Sequence, residues 1–487
     1  MAPSTSLALL TDLYQLTMAC AAHREGLTRH EGVFHLFFRK PPFKGGYTVT
    51  AGLETALDFL RDFRFDESDL AFLATLTGAD SAPLFARDFL DHLAAMRLTV
   101  DVDAMPEGTL AYPHEPLLRI QGPIDQCMLL ETPLLNLINF QTLIATKSAR
   151  IAQAAKGEPV LEFGLRRAQG IDGALAASRA AYIGGAAATS NVLAGKRFGI
   201  PVRGTHAHSW VMLFDDEREA FAAYARALPN NVVFLVDTYD TLEGVRHAIE
   251  AGRTLRAQGR ELLGIRLDSG DLAWLSIEAR KLLDAAGFQK TVILASNDLD
   301  EETIESLKNQ GAAIATWGVG TRLVTGHTEP ALGGVYKLSA VRRPGGAWEH
   351  RIKLSEQLGK VSTPGILQVR RFFDAQGQLA GDAIFEVDTP EVGSIVDPAD
   401  ATRVKHFGAT QAHEDLLVPV LRQGERVYTP PPLAEVRART QSQLARLDAS
   451  RKRILNPHGY PVGLTPSLHA LKTRLVAEHR ARAKGTT

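Results

Sequence analysis

Apolar positions recur along this chain in two different rhythms. Residues 10–23 are spaced as on one face of a helix, with Thr11 or Asp12 placed to cap its start. Residues 32–38 then read as a strand that runs into the Pro-Pro-Phe-Lys-Gly-Gly loop at 41–46. Residues 98–120 break into several short strands around turns at Pro106-Glu107-Gly108 and Pro113-His114-Glu115-Pro116, the texture of an α+β domain with a partly antiparallel sheet. From about Glu131 the rhythm changes. Short apolar runs at 159–163, 202–205, 232–237, 264–268, 292–296 and 312–316 alternate with helical stretches such as 241–251, 272–286 and 300–310, which predicts a parallel sheet. The remaining part includes a strand-like run at 366–373 and a basic helical tail at 433–454, expected to pack back onto the first domain.

The ends of the apolar runs carry polar clusters: Gly164-Leu165-Arg166-Arg167, His206-Ala207-His208-Ser209, Asp237-Thr238-Tyr239-Asp240, Asp268-Ser269-Gly270-Asp271, Asn297-Asp298 and Gly318-Val319-Gly320-Thr321. Barrels and open α/β sheets place their chemistry at the C-terminal ends of parallel strands. Six clusters at that one position favour a barrel with a single shared mouth.

Composition narrows the class. A chain of 487 residues suits two or three domains, and 45% apolar with 22% charged residues suits a water-soluble protein with a large core. With a formal net charge of −1, the overall balance points to neither nucleic acid nor an anionic membrane, so any phosphate binding must be local. Cys20 and Cys127 alone make no disulfide framework and no structural zinc site, which suits a reducing, cytoplasmic setting. The start of the chain meets Asp12 without a basic stretch and is a poor signal peptide. The apolar run 128–151 is broken by Glu131, Pro133, Lys147 and Arg150, a packed helix rather than a membrane span.

Each cluster has a chemical and a structural reading. His206 and His208 lie two apart and share a side of an extended chain. One of them could take a phosphoryl group, since neutral imidazole attacks phosphorus at ordinary pH; the pair could also ligate a metal, or either could be a satisfied core histidine. Arg266, Asp268 and Asp271 around a glycine turn offer a phosphate-matching cation and carboxylates for ribose hydroxyls or hydrated magnesium, or simply a helix cap. Gly318 and Gly320 let backbone N–H groups approach a phosphate, although ordinary turns use the same pattern and no dinucleotide fingerprint is present. Arg166 and Arg167 could clamp an anion or stand solvated, and Asp237 could orient a histidine or cap the next helix.

Taken in order, these segments resemble the nicotinate phosphoribosyltransferase family. The resemblance runs nearly end to end: Leu10-Thr11-Asp12-Leu13-Tyr14-Gln15, Ala104-Met105-Pro106-Glu107-Gly108-Thr109, Glu162-Phe163-Gly164-Leu165-Arg166-Arg167, Gly204-Thr205-His206-Ala207-His208-Ser209, Asp237-Thr238-Tyr239-Asp240, Arg266-Leu267-Asp268-Ser269-Gly270-Asp271, Gly333-Gly334-Val335-Tyr336-Lys337-Leu338 and Asn456-Pro457-His458-Gly459-Tyr460-Pro461-Val462. It implies an α/β fold with an N-terminal α/β sandwich over residues 1–140 and an irregular, incomplete α/β barrel over 141–345. Residues 346–487 would complete the first domain and cap the barrel. It also implies an ATP-coupled, C–N bond-forming glycosyl transfer in NAD biosynthesis, in a cytoplasmic homodimer with sites at the subunit interface.

The resemblance carries roles onto residues. ATP would phosphorylate His208, held by Asp237, with His206 accessory. Asp268 would meet the ribose and Arg266 the phosphoryl groups, with Ser209, Ser269 and Gly270 also lining the substrate. Asn297, Asp298, Gly318, Gly320 and Thr321 would form the phosphate site. The partner subunit's Tyr14 would stack on the pyridine ring and Phe163 cover its other face, while Arg166 would face either pyrophosphate or the nicotinate carboxylate. Mg²⁺ would arrive on substrate phosphates rather than in a dedicated protein cage. Quinolinate enzymes are much shorter than this chain, and the Phe163–Arg167 wording favours nicotinate over nicotinamide.

Overall fold

The computed structural model describes residues 6–357, 360–389 and 391–483. The chain forms two compact units: residues 143–330 make one, and the segments before and after them together make the other.

In the flanking unit, the main sheet runs Trp348–His350, Gly334–Arg342, Glu31–Phe38, Leu118–Pro123, Asp101–Ala104, Val418–Arg422, Glu425–Arg426, all antiparallel. Glu31–Phe38 is buried at every position but the first, which is why it reads as an unbroken apolar run rather than an alternating one. Because Gly334–Arg342 pairs with it from Glu31↔Arg342 to Phe38↔Gly334, residues 331–345 belong here and not to the barrel, where the sequence boundary at 345 had put them. His35, in the same strand, uses Nε2 to accept the Leu367 N–H at 3.2 Å. Burial, with Arg119 adding to it, lowers its pKa to about 3, so the ring stays a neutral acceptor.

A second sheet in this unit runs Val404–His406, Ser394–Val396, Val462–Leu464, Leu379–Glu386, Leu367–Phe373, His413–Asp415. Cross-strand partners Arg371 and Asp382 form a fully buried ion pair there, and the Tyr460 hydroxyl donates to Asp382 at 2.8 Å. The basic tail expected at 433–454 is a helix only over Leu433–Ala445; a 3-10 turn at Ala449–Lys452 follows, its start capped by Asp448. The helix Pro466–Ala483 had no counterpart in the sequence reading.

The other unit holds six parallel strands in the order Ala188–Thr189, Val160–Glu162, Thr316–Val319, Val292–Ala295, Gly264–Leu267, Val233–Leu235. A single parallel bridge joins Thr189 to Val202 at the outer edge of the first. Read as a ring, the order is that of the sequence: 160, 188, 202, 233, 264, 292, 316, and back to 160. Among the described residues no rung joins Val202 to Val233–Leu235, so the barrel is incomplete at that seam.

Two expectations are corrected here, and one strand is added. Residues 202–205 form one bridge instead of a strand, the two-residue strand Ala188–Thr189 was not foreseen, and the strand expected at 312–316 lies at Thr316–Val319. Trp317 decides the last: it is fully buried and its indole N–H donates to Glu158 at 2.7 Å, whereas Ala312 closes the preceding helix by donating to Leu307. Three outer helices, Thr241–Ala257, Leu272–Ala285 and Glu301–Asn309, each start at an aspartate whose carboxylate accepts an N–H three residues on, from Glu243, Trp274 and Thr303. Asp240 and Asp271 thus both act as helix caps. The long apolar run is two helices, Ile124–Leu129 and Glu131–Ala154; Lys147 and Arg150 on the second pair with buried Glu301 at 2.7 and 2.8 Å. Among the described residues no helix is long and apolar enough to cross a membrane.

Candidate active site

The loop from Thr205 to His208 sits at the seam of the barrel and is tied at three points. The Thr205 hydroxyl accepts from Arg266 at 2.8 Å. His206 is buried, and its Nε2 accepts the Leu235 N–H at 3.2 Å. Leu235 belongs to the strand that lacks a partner at the seam, so this imidazole satisfies a backbone donor that a closed barrel would satisfy with a strand. Nε2 must then carry a lone pair, which puts the proton on Nδ1, 3.3 Å from the Ala207 carbonyl. Burial lowers the pKa of His206 to about 4. Its accessory standing thus becomes a structural one.

His208 opens the short helix His208–Val211 and is partly exposed, as a phosphoryl acceptor must be. Its expected support is Asp237; instead, Nδ1 lies 3.2 Å from the Thr238 hydroxyl. The Asp237 carboxylate turns to the next strand end, accepting the Asp268 N–H at 2.8 Å and the Ser269 hydroxyl at 2.7 Å. Its other oxygen is buried and has no partner among the described residues. The neighbouring residue missed by sequence, Thr238, carried only one signal: a hydroxyl inside the Asp237–Asp240 cluster.

Asp268 stands at the centre. Its carboxylate is 3.8 Å from His208 Nε2 and 3.6 Å from the Arg266 guanidinium, and it accepts a short hydrogen bond from Ser296. Arg266 is largely buried and its Nε finds no partner. Burial first, and then the nearby charge of Arg166, lower its pKa against the opposing pull of Asp268 and Asp237. Two cations close enough to repel, one of them with an unmet N–H, make a site that an anion completes.

Glu162, Phe163 and Gly318 build the adjoining wall. The buried Glu162 carboxylate accepts from the Gly164 N–H at 2.5 Å, from Ser178 at 2.8 Å and from Thr189 at 2.6 Å. That fixes the turn that presents Arg166 and Arg167 to solvent. Gly318 is a buried strand residue rather than part of a loop; a Cβ there would come within 2.8 Å of the Phe163 ring and 3.3 Å of Ser296. Its missing side chain therefore makes room for Phe163. Gly320 and Thr321 begin the four-residue helix Thr321–Val324. Asn297 and Asp298 are exposed at the end of Val292–Ala295 with φ of 98° and 43°, strained backbone of the kind that collects at functional sites.

The structure thus joins His208, Asp268, Arg266, Asp237, Ser269, Phe163 and Gly318 through direct contacts, or through Thr205, Thr238 and Ser296. Ser209 is exposed beside His208, and Gly270 takes φ 77° in the turn before Leu272–Ala285. Tyr14 lies in the flanking unit on the helix Leu13–Arg24, half exposed. Among the described residues no cluster of three or more His, Cys, Asp or Glu side chains is placed to hold a metal ion.

Models of the nicotinate phosphoribosyltransferase family match three stretches: the N-terminal domain at residues 9–139, the family's own region at 160–353 and the C-terminal domain at 367–472. Nicotinate phosphoribosyltransferase of Bacillus subtilis is 42% identical, the alignment covering 98% of this chain and 96% of that protein. The chain belongs to the nicotinate phosphoribosyltransferase family. The human member is 38% identical over 96% of each chain. The crystal structure of human nicotinic acid phosphoribosyltransferase superposes with a TM-score of 0.83 at 35% identity, covering 96% of this chain and 99% of that one. A nicotinate-nucleotide pyrophosphorylase from Pyrococcus furiosus shares the fold, with a TM-score of 0.71 at 23% identity, covering 92% of this chain and 97% of that one. This chain is an enzyme of the nicotinate phosphoribosyltransferase type, with the family's α/β architecture.

Proposed function

We propose that this enzyme joins nicotinate to the phosphoribosyl group of 5-phosphoribosyl 1-pyrophosphate, releasing pyrophosphate and forming nicotinate mononucleotide for NAD, and that it couples the transfer to ATP through a phosphohistidine at His208. The observation that carries the reading is the contact between a tethered, solvent-reachable imidazole and the Asp268–Arg266 pair.

With Nδ1–H donating to Thr238, Nε2 of His208 holds the free electron pair. It attacks the γ-phosphorus of ATP, the N–P bond forms as the bond to the ADP oxygen breaks, and water later releases phosphate. A phosphoryl group on Nε2 and the Asp268 carboxylate repel each other, which favours Asp268 turning to the ribose hydroxyls. In the transfer step the C1–O bond to pyrophosphate breaks as the pyridine nitrogen bonds C1. The nitrogen already has its electron pair, so no base is needed and positioning is the main task. Positive charge grows on the sugar beside Asp268, and negative charge grows on the leaving group, where Arg266 and Arg166 stand. Mg²⁺ fits this site through the substrate's phosphates, with Asp268 and Asp237 as the nearby carboxylates, and would supply further neutralisation of pyrophosphate.

A homodimer with shared sites belongs to the same reading. Leu7, Leu10, Leu13, Tyr14 and Met18 form an exposed apolar run at the start of the flanking unit, a surface suited to a second copy, and the partner subunit's Tyr14 would then stack on the pyridine ring. Two buried, free cysteines suit the cytoplasm.

Incubation with γ-labelled ATP tests the proposal. The label should be acid-labile and base-stable, vanish in His208→Ala and persist in His206→Asn. Persistent acid-labile label in His208→Ala would move the nucleophile elsewhere.

A further inference from the structure

The Asn456–Val462 motif takes no part in the barrel site, yet it forms one wall of a cavity of about 540 Å³ in the flanking unit. That volume lies within the range of small-molecule sites. The opposite wall is the hairpin made by Ser394–Val396 and Val404–His406, which brings Asp397, Arg403 and Lys405 to face His458 and Tyr460. No residue of this cavity belongs to the barrel unit.

The walls are preformed. Val462–Leu464 lies so close to Ser394–Val396 that a Cβ at Gly463 would stand 2.5 Å from the Val396 carbonyl oxygen. Tyr460 is fixed by its hydrogen bond to buried Asp382 and by stacking on Tyr112 at 3.9 Å. The hairpin is closed by the Asp397 N–H donating to the Arg403 carbonyl at 3.0 Å.

The charge of the lining is unbalanced. Lys405 donates to the Ala380 carbonyl at 2.7 Å and has no carboxylate partner; burial, and then the charge of Arg451, lower its pKa. Arg451 itself lies against the Tyr460 ring, 5.1 Å from its centre, with its Nε buried and unpaired. Arg403 is mostly exposed and forms a solvated ion pair with Asp400 at 3.3 Å, one that a phosphate can replace. The imidazole of His458 has no hydrogen-bond partner among the described residues. Besides the cations Arg403 and Lys405, the lining holds one carboxylate, Asp397, and apolar surface from Ile395, Val404, Pro461 and Val462.

We propose that this cavity is a second ligand site, for a nucleoside phosphate. Arg403 and Lys405 would take the phosphates, Asp397 would accept from sugar hydroxyls, and the apolar wall would cover the base. A lone phosphate would leave most of the volume empty, and an apolar ligand would leave Lys405 without a counter-ion.

Hydrogen exchange on the full chain tests this with ADP, adenosine and inorganic phosphate as separate probes. ADP should slow amide exchange several-fold in peptides covering 394–406 and 456–464, while adenosine should not. Arg403→Ala, at an exposed position where folding is not at stake, should raise the ADP concentration needed about tenfold or more. Arg403→Ala with Lys405→Ala should abolish the effect. Peptides covering 204–209 and 264–271 report the barrel site separately, so failure there leaves this result readable. No slowing at 394–406 and 456–464, slowing that survives the double substitution, or equal slowing by phosphate alone would overturn the proposal.

Discussion

Replacing His206 by leucine tests whether the seam of the barrel is stapled by a neutral imidazole. Leucine keeps apolar contact with Tyr224, Phe221 and Phe234, whose rings lie 4.9, 6.2 and 6.3 Å from the imidazole. What it removes is the acceptor for the N–H of Leu235, a residue fully buried. Leaving such a donor unmet costs about 1–3 kcal/mol, so at pH 8 the variant should be less stable by that amount. The pH dependence gives the sharper signature. The folded-state pKa lies at about 4, below the ordinary 6.5 that the unfolded chain recovers. The unfolded state therefore binds the extra proton first, and the stability supplied by a neutral His206 is present above pH 6.5 and lost as pH falls towards 4. Over that window the loss is about 3 kcal/mol, at 1.36 kcal/mol per unit. Other buried histidines, His35 and His114, titrate alike in both proteins and drop out of the difference. The two stability curves should converge below pH 6.5 and cross between about pH 6 and 4. Urea unfolding followed by tryptophan fluorescence reads this unit, since Trp210, Trp274 and Trp317 of the four tryptophans lie in it. Equal stability at pH 8, or curves that stay parallel into acid, would refute the staple.

Asp268→Asn should keep the melting temperature and lose about 10²-fold or more in kcat, because it removes a charge from the reacting centre without opening a core cavity; near-normal turnover would reduce Asp268 to a structural role. Gly318→Ala should displace the Phe163 ring, cost about 1–3 kcal/mol in stability and raise KM for nicotinate more than it lowers kcat. An unchanged KM in that variant would remove Phe163 from the pyridine site. Nicotinate should be preferred over nicotinamide by about 10²-fold or more in kcat/KM, since Arg166 and Arg167 match a carboxylate and leave a neutral amide poorly paired; comparable efficiencies would contradict that pairing.

Much of the barrel was legible because parallel strands bury both faces, so 160–162, 233–235, 264–267 and 292–295 stand out as short apolar runs with polar ends. Ala188–Thr189 is too short to leave a period, and Ala312–Ala315 imitates a strand that Trp317 and Gly318 in fact supply. The site was legible by residue type but not by pairing. Which oxygen reaches His208 depends on where the chain turns after Leu235, and adjacent Asp237 and Thr238 point to different neighbours. The role of His206 was hidden because its partner is a backbone N–H, which leaves no mark in sequence.

The pairing of Glu31–Phe38 with Gly334–Arg342 has a consequence for the chain as it leaves the ribosome. Glu31 waits for Arg342, 311 residues later, and at ordinary synthesis rates that interval is roughly 15–60 s. Meanwhile an apolar strand has only Leu118–Pro123 to cover one edge, and the whole barrel emerges before the other edge can close. The nascent chain thus carries an open, adhesive edge for most of its synthesis, a natural landing place for a chaperone. Mutations that slow folding of the barrel would prolong that exposure and lower yield without touching a single contact of the strand itself.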